Sequence, residues 1–92
     1  MLGEERRLKI LERVTALLRD VDPEVRLHDV ILDSTRQQLT FVMQKGEWPV
    51  ALGMSWLDYV SHRDPELKAH LQEGLRARLE AARQREERRE QE

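Results

Sequence analysis

The 92-residue chain contains no cysteine. Disulfides, thiolate zinc sites, iron–sulfur clusters and cysteine nucleophiles are therefore excluded. No run approaches the roughly 18 consecutive apolar residues of a membrane-spanning helix, and no apolar stretch follows a basic start in the manner of an export signal. With neither membrane nor export signalled, the cytoplasm is the expected compartment. Aromatic residues make up 4% of the chain, and the four glycines, at 3, 46, 53 and 74, are scattered. They assemble neither a Walker phosphate loop nor a dinucleotide fingerprint, so no cofactor is expected. Charge of one sign is lacking too: 16 basic and 18 acidic residues leave a net charge of −2, which gives no long-range pull on nucleic acid or anionic lipid.

What the chain has is charge of both signs, at 37%, alongside 39% hydrophobic residues. The apolar residues lie mostly between 8 and 60. One domain and one core fit this length. A domain this small buries only about 60% of the surface its unfolded chain exposes, so a second copy or another protein offers a ready source of further burial.

From Glu4 to Val21, Leu8, Leu11, Val14, Leu17, Leu18 and Val21 recur at three and four, which predicts an amphipathic helix ending near Asp20, before Asp22-Pro23. Val25–Leu32 and Leu39–Lys45 are rich in β-branched and apolar residues and flank a polar connection, predicting an antiparallel hairpin. In a regular first strand Asp29 would share a face with Val25, Leu27 and Ile31. A bulge, or a strand that begins later, removes the conflict. Trp48–Met54 reads as a third strand, with Pro49 favouring an edge, or as an extended approach to a helix. Ser55 is the expected N-cap of a short helix to His62. Asp64 as N-cap, Pro65 at the first helical position and Glu66 in the first turn then start a long helix that packs through Leu67, Leu71, Leu75, Leu79 and Ala82. Residues 83–92 carry no apolar side chain and form either a helical extension of the 1–82 domain or a frayed tail. The fold class is α+β: a small two-layer domain whose helices cover one face of a hairpin or three-stranded sheet.

The phrase DPEVRLH at 22–28 returns as DPELKAH at 64–70. Because the flanking residues do not continue the match, the two copies are expected to adopt different structures. His28, His62 and His70, with Asp29, Asp58 and Asp64, are the only set suited to metal or acid–base work. No pair among them has the same-face helical spacing of a metal motif, so surface or hydrogen-bonded histidines are expected rather than a site. Ser55, Ser61 and Thr35 lack a nucleophile signature, and no catalytic residue is assigned. Arg76, Arg78, Arg83 and Arg85 lie on the last helix, but Glu80, Glu86 and Glu87 interleave with them and oppose phosphate binding. The segment EWPVALGMSWLDYV holds both tryptophans and the single tyrosine. Such a cluster serves either as core or as the anchor of an interface.

The first helix, then DPEVRLHDVIL, then LTFVMQK resembles the start of the cytoplasmic C-terminal domain of cation diffusion facilitator transporters. The resemblance covers residues 8–45. It implies a compact metallochaperone-like α/β domain that dimerises and holds divalent metal through His28 and Asp29. The second half, with its tryptophan segment and long charged helix, departs from the family's helix and closing strand.

The leading expectation is a protein-interaction or self-association module, as a homo-oligomer or with another protein. Its contacts would come from the sheet edge or the last helix, with Trp48, Trp56, Tyr59, Leu71, Leu75 and Leu79 as interface residues. A divalent-metal-responsive module using His28, and nucleic-acid binding through the C-terminal helix, are the alternatives.

Overall fold

The computed structural model describes residues 3–91. Helix α1 (Glu4–Val21) leads into strands β1 (Val25–Asp33), β2 (Gln38–Lys45) and β3 (Trp48–Ser55), followed by helices α2 (Trp56–Ser61) and α3 (Asp64–Gln91). The strands form an antiparallel meander in the order β1-β2-β3. The third run is thus a strand, and Pro49 lies in an edge strand, where a missing N–H is tolerated. The two DPE phrases diverge as expected, one leading into β1 and the other opening α3.

Local chemistry sets each boundary. Helix α1 runs one residue past Asp20 and stops where Asp22 turns extended and donates its N–H to the Leu18 carbonyl. Gly46, at φ 59°, occupies the first position of the two-residue β2–β3 turn, where positive φ suits glycine. Ser55 Oγ accepts the Asp58 N–H at 3.0 Å and caps α2. The start of α3 differs from expectation. Asp64 is its first helical residue rather than its cap, and the Arg63 carbonyl accepts the first helical bond, from Leu67. The Asp64 carboxylate is engaged by Arg13 at 2.9 Å, while Glu66 reaches back to the Arg63 N–H.

The register of β1 slips between Leu27 and Asp29, leaving His28 as the extra residue of a bulge. That insertion lets Val25 and Val30 both reach the core while Asp29 turns away. Leu39, Phe41 and Met43 of β2 and Val50, Leu52 and Met54 of β3 bury the same face. Ile10, Val14 and Leu18 of α1 and Leu67, Leu71 and Leu75 of α3 complete this core. Helix α1 packs on β1 and α3 on β3, and the two helices touch each other. Both layers of the domain are accounted for, and one sheet face is left bare by the described residues.

Candidate functional site

The aromatic segment divides between core and surface. Tyr59 is buried, 6.3 Å from the Phe41 ring and 5.1 Å from the Arg13 guanidinium. Trp56 is half-buried, stacked at 5.8 Å on Tyr59 and covered on one side by Arg6. Trp48, also half-buried, sits where the β2–β3 turn meets α3, between a cleft lined by Leu79 and Arg83 and another lined by Ala82 and Arg85.

The leucine stripe is covered by the chain's own sheet. Leu71 and Leu75 are buried in the core and Leu79 lies at its margin, so a partner meets Leu71 and Leu75 only if the fold opens. Gly74 belongs to the same interior contact. A Cβ placed there would stand 3.0 Å from Leu52 Cδ2, so the gap it leaves is filled by β3 rather than held open for another chain. Ala69, Ala77 and Ala81 are exposed on the outer sides of α3.

His28 is exposed at the bulge, and its neighbour Asp29 is engaged by Arg7 at 2.8 Å. The hydrogen bond from Arg7, then that from the Val30 N–H, holds the Asp29 carboxyl below the usual carboxylate range. Asp58 and Asp64 serve the starts of α2 and α3. Ser61 donates its hydroxyl to the Leu57 carbonyl, and Ser55 caps. What the linear spacing concealed is that His62 and His70, on either side of the break between α2 and α3, lie with ring centroids 6.2 Å apart and edge to face. Among the described residues no group of three or more histidine, aspartate and glutamate side chains is gathered for a metal ion.

The bare sheet face carries a row from each register triplet: Ile31–Thr40–Gly53, Asp29–Val42–Ala51 and Arg26–Gln44–Pro49. Ile31 is 53% exposed, Ala51 and Gly53 are exposed, and Thr40 and Val42 in the central strand are half-covered by their neighbours. The middle of this face is apolar or small, and its charges sit along β1 as Arg26, Asp29 and Asp33. Comparison with family models, curated proteins and solved structures finds no match to this chain.

Elsewhere, charge is largely compensated locally. On α3, Arg76 pairs with Glu73 and Arg83 with Glu80, and Arg85 leans on the Ala81 carbonyl. The arginines of the C-terminal helix are thus interleaved with carboxylates rather than gathered as a phosphate-binding surface. No helix among the described residues is long and apolar enough to cross a membrane. The aromatic cluster was visible in the sequence. The bare face was signalled by the expectation that the helices cover one face of the sheet.

Proposed function

We propose that this chain is a small self-association module that meets a second copy of itself through the uncovered face of its sheet. The observation that carries the reading is the exposure of Ile31 beside Val42 and Ala51 on a face that no helix covers. Flat faces with an apolar centre pack against one another in two-sheet sandwiches about 10 Å apart. Charge favours a like copy. A two-fold axis running across the strands sets Arg26 of one copy opposite Asp33 of the other, at both ends of β1, so the ends attract, while Asp29, which the axis brings near its own copy, is neutralised within its chain by Arg7.

Size sets the strength of this contact. Three strands about 4.8 Å apart and, at eight to nine residues, about 27 Å long present about 400 Å² per copy, so the pair buries about 800 Å² against the roughly 1,200 Å² of a stable interface. The association is therefore weak and reversible. Sedimentation from about 1 µM to 1 mM should show a monomer that dimerises toward the upper end. Ile31→Lys, at an exposed position, should remain folded and monomeric throughout. A wild-type chain that stays monomeric at 1 mM, or an Ile31→Lys chain that dimerises equally well, overturns the reading.

A further inference from the structure

We propose that His62 and His70 form a bidentate site for one divalent transition-metal ion of the imidazole-preferring kind, such as Cu²⁺ or Zn²⁺, at the junction of α2 and α3. The fold brings the two rings together from separate elements. His62 is the C-cap of α2, its N–H bonded to the Asp58 carbonyl and its own carbonyl held by Arg13 at 2.9 Å. His70 lies in the second turn of α3, whose start is fixed by the Arg13–Asp64 pair and by Glu66 on the Arg63 N–H. Both side chains are half-buried, so their positions are limited while an edge remains open to solvent.

Distance decides whether one ion can serve both. A metal–nitrogen bond of about 2.1 Å places the ion about 3.2 Å from a ring centroid, so two rings on one ion have centroids at most about 6.4 Å apart and about 5.2 Å apart at a tetrahedral angle. The observed 6.2 Å lies inside the upper limit, and with the ring planes 67° apart the two side chains must rotate to bring one nitrogen of each onto a common ion. Arg13, which donates to the His62 carbonyl, is matched by Asp64 at 2.9 Å, and Lys68, two residues before His70, is paired with Asp20. No third protein ligand joins the pair in a three-ligand group among the described residues. Water therefore fills the other positions, and binding is weaker than at a four-ligand structural zinc site. Among these ions the order of affinity places Cu²⁺ above Zn²⁺. A bound ion would tie the end of α2 to the second turn of α3 and resist their separation.

The test uses the full chain at about pH 7.5 in a non-coordinating buffer. Cu²⁺ and Zn²⁺ are titrated calorimetrically into the wild type and into His28→Ala, His62→Ala and His70→Ala, each checked for folding by circular dichroism. The expected result is one ion per chain, bound more tightly as Cu²⁺ than as Zn²⁺. Affinity should fall at least tenfold in either His62→Ala or His70→Ala and change less than twofold in His28→Ala. Should either alanine variant lose its fold, His62→Asn or His70→Gln replaces it. Imidazole NMR resonances of the wild type supply a reading free of substitution: with Zn²⁺, those of His62 and His70 should shift together while His28 stays, and chelator should reverse the change. Unchanged affinity on loss of His62 or His70, or Zn²⁺ shifts confined to His28, overturns the proposal. Neither result bears on dimerisation, which is read separately in the presence of chelator.

Discussion

Asp22 shows how much one carboxylate can organise in a chain with little core to spare. Its backbone ends α1, its Oδ1 accepts the Glu24 N–H in the turn, and its Oδ2 takes Lys45 at 2.6 Å from the far end of β2. The hydrogen bond from Lys45 holds the Asp22 carboxyl below the usual carboxylate range, against the opposing effect of burial. A carboxyl depressed in the folded state stabilises the fold above its unfolded value and loses that contribution as pH falls through the folded one. Asp22→Asn should therefore cost about 1 kcal/mol at neutral pH and less at acid pH. Urea unfolding of both chains at the two pH values measures the difference. An equal cost at both would assign the loss to the turn rather than to the ion pair. Asp29, lowered in the same direction by Arg7, adds to the acid sensitivity of both chains alike.

At the scale of elements, α3 lies so close to β3 that one missing Cβ matters. Replacing glycine by alanine inside an exposed helix gains about 1 kcal/mol. At Gly74 the new methyl meets both Leu52 methyls, at 3.0 and 3.1 Å, and Leu52 is itself buried in the core. Overpacking there costs about 1 to 3 kcal/mol, so Gly74→Ala should destabilise by about 1 kcal/mol, whereas the same change added to Leu52→Ala, which removes both clashing methyls, should cost nothing beyond Leu52→Ala alone. Thermal melts of the single and double variants test that contrast. This contact also explains what spacing could and could not reveal. The leucine stripe of α3 and the cap at Ser55 are local patterns, and each appears where the sequence placed it. The N-terminus of α3 is displaced by one residue because Asp64, well suited to capping, is engaged by Arg13 from 51 residues away. What fills the space beside Gly74 could not be read from the spacing of its own helix, because that side chain, Leu52, belongs to β3.

For the whole molecule, the two-layer α+β arrangement was legible, since two amphipathic helices and a hairpin with a third run leave few other ways to bury one apolar face each. The bulge at His28 was legible as one resolution of the conflict at Asp29. The bare sheet face was legible too, since the helices were expected on one face only, whereas the meeting of His62 with His70 was not, because it depends on how elements sit across from one another rather than on periodicity along the chain. Shape carries a further consequence. Helix α3, at 28 residues, is about 42 Å long by the α-helical rise, comparable to the longest of the molecule's 46, 30 and 20 Å dimensions. A body of these proportions reorients slowly end over end and quickly about its long axis. Amide bond vectors in α3, nearly parallel to that axis, should therefore report a longer rotational correlation time in ¹⁵N relaxation than those lying across it in the sheet. A uniform correlation time across helix and strands would mean that the polar extension beyond Ala82 does not keep its helical form in solution.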